Sequence, residues 1–417
     1  MAAAVAATPL LPFPALGVLW HLLLALAAVA VVGRLLGALF RFIGQPPVMG
    51  EIVGGILIGP SLLGWVAPQA YSYLLPQTVA PYLGLVAQLG VILYMFLVGL
   101  ELNPELLRRR VPVAAVTSLS SIFAPFVLGS ALALYLYPRF STSAVPFTSF
   151  ALFLGLAMSI TAFPVLARIL SDRGMTRTEL GTVALTCAAV DDVTAWCLLA
   201  FVSGVAQSSA EGAWLAAVLT LGFVAFMFVI VRPIAARAVR RSEDGGSIHG
   251  AIALTLAALL IAALTTEAIG IHAIFGAFLF GAILPHESAL ARAMKQRLES
   301  LVTILLLPAF FAFTGMRTQI GLVTGWYEWM VCVLIIAVAT AGKFGGTLIA
   351  GRATGLAWRQ AAGLGVLMNT RGLMELIVLN VGLDLGVISP TIFTMLVLMA
   401  LATTLATTPV LQRLKPI

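Results

Sequence analysis

Charge is scarce in this sequence. Asp, Glu, Lys and Arg make up 9% of its 417 residues, where a soluble domain carries roughly a quarter. So few charges cannot coat a water-facing surface, and a soluble globular protein is excluded. Cysteine is also rare. Cys187, Cys197 and Cys332 each sit in an apolar run with no CxxC spacing, which argues against a disulfide framework or a thiolate metal centre and reads as small buried hydrophobes. The four histidines form no HExxH pattern. No Lys or Arg precedes Arg34, so the positive region of a signal peptide is missing and the first apolar stretch reads as a retained membrane helix. Basic residues outnumber acidic ones by 23 to 16, yet no basic run is interleaved with aromatics. A nucleic-acid partner is therefore not expected.

What remains is apolar: 61% of the residues are hydrophobic and the mean hydropathy is +1.09. A helix needs ~20 apolar residues to cross the hydrocarbon core. Such stretches fall near 15–40, 47–64, 82–101, 113–137, 147–170, 179–206, 213–236, 248–268, 270–285, 297–316, 325–350, 359–382 and 389–411. The expected fold is an all-α polytopic membrane protein of about thirteen spans surrounded by lipid.

Thirteen spans with the N-terminus outside give a cytoplasmic face that collects most of the basic charge. It takes Arg34, Arg41, Arg108, Arg109, Arg110, Arg168, Arg173, Arg177, Arg232, Arg237, Arg240, Arg241, Arg292, Lys295, Arg297, Arg352, Arg359, Arg413 and Lys415. The opposite face takes Arg139 and Arg317, and Lys343 and Arg371 fall inside spans. Nineteen of 23 on one side satisfies the positive-inside rule and places the C-terminus in the cytoplasm. A single membrane domain with no soluble domain is expected.

Spans one to six (about 15–206) and eight to thirteen (about 248–411), joined by a linker span (about 213–236), would form two inverted repeats. Transporters built this way place their site where broken helices meet at mid-membrane. The fifth span of each repeat carries a breaker. In one, Pro164 follows Thr161; it lacks an N–H and clashes with the carbonyl of Ile160. In the other, Asn369, Thr370, Arg371 and Gly372 interrupt the run. Unwound backbone at that depth must line a cavity or be buried in protein.

A charge at mid-bilayer costs ~2.5–3.5 kcal/mol on the insertion scale and usually marks an ion or proton path. Asp191 and Asp192 lie halfway along the sixth span. Ionised together in a low dielectric they repel, which suits a pair that trades a proton for a cation. Adjacent helical residues point about 100° apart, so one can face a cavity while the other meets a cation, for which Lys343 in the eleventh span is the candidate. Gly342, Gly345 and Gly346 beside it suit close helix packing. Arg371 and Glu375 are spaced to pair along one helix face and to hold the broken helix. Glu101 and Glu267 lie near span ends and read as interfacial. Thr161 offers a hydroxyl, and Ile160 a freed carbonyl, to a partly dehydrated monovalent cation. Divalent sites gather several carboxylates, and this core lacks them.

The segments TAFPVLARILSDRGM, TCAAVDDVTAW, EAIGIHAIFGAFLFGAILP, GKFGG and NTRGLMELIVLN resemble the second branch of the monovalent cation:proton antiporter superfamily. That branch holds bacterial sodium/proton antiporters, potassium efflux systems and plant cation/proton exchangers. The resemblance runs from about residue 30 to 410. It implies the sodium/proton antiporter fold with two discontinuous crossing helices, a homodimer, and an elevator-like motion. It implies exchange of Na⁺ or K⁺ for protons, with no cofactor and no enzymatic activity, in a bacterial inner membrane. By the resemblance, Asp192 is the main cation carboxylate, Asp191 partners Lys343, and Thr161 is a further ligand. An aspartate pair with a core lysine resembles the electrogenic members. Regulation through a cytosolic domain of the kind the plant exchangers and potassium efflux systems carry is not expected. The alternatives on the same scaffold are a gated cation efflux pathway and a sodium-coupled organic solute transporter.

Overall fold

The computed structural model describes residues 17–101, 111–176, 178–207, 210–243 and 248–414. Among them every regular element is a helix. Arg108, Arg109, Arg110, Arg177 and Lys415, used above to orient the chain, lie outside the described residues.

Three longer helices open the chain, α1 (Val18–Phe42), α2 (Pro47–Ile58) and α3 (Ala80–Glu101), with two short helical segments, Leu63–Val66 and Pro68–Leu74, between the last two. Next come α4 (Val111–Phe140), α5 (Phe147–Ser159), α6 (Phe163–Asp172) and α7 (Glu179–Gln207). The linker is α8 (Ala210–Phe226), which runs through a π turn (Met227–Val231) into α9 (Arg232–Glu243). The remainder comprises α10 (Ile248–Ile269), α11 (Ala273–Ile283), α12 (Ala289–Leu301), a second π turn (Val302–Leu306), α13 (Leu307–Arg317), α14 (Trp326–Ala353), α15 (Trp358–Met368), α16 (Leu373–Asp384) and α17 (Pro390–Leu414).

Among the described residues, eleven spans are long and apolar enough to cross a membrane, and α15 with α16 forms a twelfth, bent by 44° at its break. The ninth expected span, 270–285, is shorter than the sequence suggested. Its helix, α11, has 11 residues and reaches about 16 Å at 1.5 Å per residue, short of the ~30 Å core. Its start is fixed by left-handed backbone at Gly270 and His272, and Pro285 follows its end. Ile274 to Phe280 are all buried, so neighbouring helices cover what this helix cannot span.

The helices pack as two bundles. One joins α1, α2, α3, α10, α11, α12 and α13; the other joins α4 to α7 with α14 to α17. Within the second bundle, α14 lies against α4. The close approach needs glycine: a Cβ on Gly342 would stand 2.7 Å from the Cα of Pro125, and one on Gly346 would stand 2.7 Å from the carbonyl oxygen of Ser120. Gly345 faces open space; it takes no part in this packing. Cys187 and Cys332 are buried, but Cys197 is exposed, because its side of α7 looks outward from the bundle.

Candidate functional site: the crossing of two broken helices

Both expected breaks are present and they meet. Helix α5 ends at Ser159, Ile160 to Ala162 are extended, and α6 begins at Phe163 with Pro164 in its first turn. There the missing N–H of proline leaves no intrahelical bond unmade. Helix α15 ends at Met368 and α16 begins at Leu373. The two breaks touch: the N–H of Ala162 donates to the carbonyl of Thr370 at 2.9 Å. Thr404 of α17 closes the second break, donating to Arg371 O at 2.7 Å and accepting from Arg371 N at 2.8 Å.

A helix ending in mid-bundle leaves carbonyls without intrahelical partners. Two cations serve those of α5. Arg371 donates to Ala157 O at 2.9 Å and to Met158 O at 2.5 Å, and Lys343 donates to Ser159 O at 2.5 Å. Positive charge at a helix C-terminus is also favoured by the helix dipole. Arg371 pairs with Glu375 at 2.6 Å, both side chains fully buried.

Lys343 does not snorkel to an interface. It is fully buried and pairs with Asp191 at 2.8 Å. Asp191 also accepts from Ser118 at 2.5 Å, Ser121 at 2.9 Å and Thr161 at 2.8 Å. Thr161 stands 3.0 Å from Met368 O as well, so it ties the first broken helix to the second. Gly342 and Gly346 give Lys343 its position by letting α14 press against α4, the helix that carries both serines.

Asp192 is placed differently. It is 4% exposed, and no described residue hydrogen-bonds either carboxylate oxygen with good geometry. The N–H of Phe163, at the start of α6, faces it, which puts the carboxylate at the positive end of a helix dipole. Asp192 lines a cavity of about 720 Å³ whose wall includes Tyr94, Phe163, Pro164, Thr186 and Phe278. Glu101, Arg168, Lys295 and Glu299 also line it. The side chains of Arg168, Lys295 and Glu101 are about half exposed, and Lys295 pairs with Glu101 at 2.6 Å. The cavity thus runs from a charged mouth to Asp192.

The sequence-derived candidates Thr161, Asp191 and Lys343 form one cluster, and Asp192 borders it on the cavity side. Asn369 lies slightly aside, its amide 3.5 Å from Thr340 of α14. Glu267 caps α11 by accepting from Ala273 N at 2.7 Å. Sequence reasoning missed Ser118, Ser121 and Thr404. The available signal for the serines was two hydroxyls three apart in an apolar span, one helical turn of a single face.

The opposite end of this assembly is closed by polar contacts between the bundles. Arg317 of α13 donates to Asp384 at 2.5 Å and to Asn380 at 2.9 Å, and Asn380 donates to Thr314 at 2.8 Å.

Residues 26–414 match the family described as sodium/hydrogen exchanger, transmembrane. The Na(+)/H(+) antiporter NhaS4 of Synechocystis is 47% identical over 401 residues, which cover 95% of this chain and 98% of that one. Cation/H(+) antiporter 17 of Arabidopsis thaliana is 41% identical, covering 95% of this chain and 48% of its own length. K(+)/H(+) antiporter 1 of Saccharomyces cerevisiae is 32% identical, covering 90% and 44%. The chain therefore spans about half the length of the plant and yeast relatives. The solved structure of the sodium proton antiporter MjNhaP1 from Methanocaldococcus jannaschii superposes with a TM-score of 0.68 at 13% identity, covering 95% of this chain and 97% of that one; this likeness speaks to fold. With the broken helices, the buried charges and these matches together, the chain belongs to the transmembrane sodium/hydrogen exchanger family.

Proposed function

We propose that the protein is a secondary antiporter that exchanges a monovalent cation, Na⁺ or K⁺, for protons by alternating access. The observation that carries this is Asp192: a nearly buried carboxylate at the inner end of a cavity, with no side chain hydrogen-bonded to its oxygens. Such a group can hold a proton or a cation, and not both. Competition at one carboxylate couples the two fluxes, provided the site opens to one face at a time.

The two bundles supply a means. Asp191, Asp192, Thr161 and Lys343 all belong to the bundle of α4 to α7 and α14 to α17, while Tyr94 and Phe278 on the cavity wall belong to the other. Sliding the first bundle against the second moves the site as a unit. The cavity mouth carries Arg168 and Lys295, residues of the face that the positive-inside rule assigns to the cytoplasm. In this reading the cavity opens inward, the N-terminus lies outside, and Arg317 with Asp384 seals the outer face. The reading includes a homodimer in a bacterial inner membrane and electrogenic exchange, favoured by Lys343 beside a second aspartate. The sequence of the cyanobacterial relative supports the bacterial setting.

The test is cation-induced collapse of an imposed proton gradient in liposomes that hold the purified protein and a pH dye. Na⁺, K⁺, Li⁺ and choline are added in turn, with and without a potassium clamp. A response to an alkali cation and none to choline supports exchange, and dependence on the clamp voltage supports electrogenic coupling. No response to any alkali cation between about pH 6 and 9 contradicts it.

A further inference from the structure

Asp191 and Asp192 are chemically identical neighbours, yet the structure treats them oppositely. An ionised carboxylate has two oxygens and about four acceptor positions. Asp191 receives four donors: Ser118, Ser121, Thr161 and Lys343, at 2.5, 2.9, 2.8 and 2.8 Å. Asp192 receives none of good geometry. Three of the four donors to Asp191, namely Ser121, Thr161 and Lys343, meet on Oδ2, and Ser118 takes Oδ1. With Asp191 fully buried, a cation reaches Oδ2 only by displacing a donor.

We infer that Ser118 and Ser121 are positioning residues that reserve Asp191 for Lys343 and so leave the cation to Asp192. They come from α4, one turn apart, and both are fully buried. Without them Asp191 would keep only Thr161 and Lys343, both on Oδ2, and Oδ1 would lose its donor. Helix α4 belongs to the same bundle as α7 and α14, so the serines stay with Asp191 wherever that bundle moves.

Two of the hydroxyls have a second acceptor at hand. Ser121 also stands 2.9 Å from Ser118 O, and Thr161 stands 3.0 Å from Met368 O. Each can turn to its carbonyl when Asp191 changes partner, whereas Ser118 keeps Asp191 Oδ1 as its acceptor. This arrangement holds Asp191 while it pairs with Lys343 and lets it change partner within a cycle.

The inference rests on the exchange reading above and is tested beside it. Wild type, Ser118→Ala/Ser121→Ala and Ser118→Thr/Ser121→Thr are compared in liposomes for maximal exchange rate and apparent KM of the cation. With the serine hydroxyls gone, Asp191 becomes a second ligand. The alanine pair is expected to lower the apparent KM about threefold or more and to lower the maximal rate, because the cation leaves more slowly. General damage to the fold does not tighten cation binding. The threonine pair keeps its hydroxyls and is expected to stay within about twofold of wild type in both. An unchanged or raised KM in the alanine pair overturns the inference while wild type still exchanges; absent exchange in wild type overturns the reading beneath it. If the double variants fail to fold, as judged by melting without cation, Ser118→Ala and Ser121→Ala alone are read by the same split.

Discussion

Lys343 and Asp191 meet across the bundle at 2.8 Å, with both side chains fully buried. Removing one member of such a pair leaves an uncompensated charge, at a cost of about 3–5 kcal/mol. Lys343→Met is therefore expected to lower the melting temperature in detergent more than Asp191→Asn/Lys343→Met does. A double variant that melts no higher than the single one would show that the pairing contributes little to the fold.

The glycines that bring α14 against α4 set the position of Lys343. Gly342→Val places atoms where the backbone of Pro125 already stands and is expected to cost about 1–3 kcal/mol. Gly345→Ala, on the open side of the same helix, is expected to change stability by less than about 0.5 kcal/mol. Thermal melting of the two variants checks this. Equal effects would mean that the α4–α14 contact does not set the spacing.

The second break depends on Arg371. Its guanidinium serves two carbonyls of α5 and the Glu375 carboxylate, so Arg371→Ala leaves three buried acceptors short and is expected to destabilise by about 3 kcal/mol or more. Arg371→Lys cannot reproduce the fork and should fall between. Urea or thermal unfolding that places Arg371→Ala within about 1 kcal/mol of wild type contradicts this role.

Much of this was legible in the sequence because lipid makes each departure from apolarity conspicuous. Pro164 and the Asn369–Gly372 run stood out as breaks, and Asp191, Asp192, Lys343 and Arg371 stood out as charges within spans. Helix count was less legible at α11, whose ends are set by backbone geometry at His272 that composition does not reveal. The serines and Thr404 were not legible, since hydroxyls are common in membrane helices and only the fold shows which of them face Asp191 or the Arg371 backbone. Nor could spacing alone tell which aspartate faced the cavity; only the family resemblance pointed to Asp192. Which one faces it follows from the rotation of α7 against α4 and α6.

At the end opposite the cavity, which the proposed orientation puts outside, Arg317 joins the two bundles by reaching both Asp384 and Asn380. Arg317→Ala is expected to loosen that face and to favour the outward-open form. A cysteine at position 380, in a background without the native cysteines, should then react several-fold faster with a membrane-impermeant thiol reagent added outside. Equal labelling with and without Arg317 would show that the contact does not hold the face shut.

Competition at one carboxylate has a kinetic signature. In the pH range where Asp192 binds a proton, the apparent KM of the cation should rise by up to about tenfold per pH unit as pH falls, by mass action. The maximal rate should change far less. A KM independent of pH, with only the rate varying, would mean that proton and cation occupy different sites.

The measurement that bears most directly on Asp192 is exchange by Asp192→Asn in liposomes, set beside wild type at the same protein density and pH. The amide nearly preserves size and packing but can neither carry the charge that binds a cation nor exchange a proton. Loss of cation-dependent proton movement in a variant that melts like wild type is the expected result. Exchange retained at a rate close to wild type would contradict the assignment of Asp192 as the shared site.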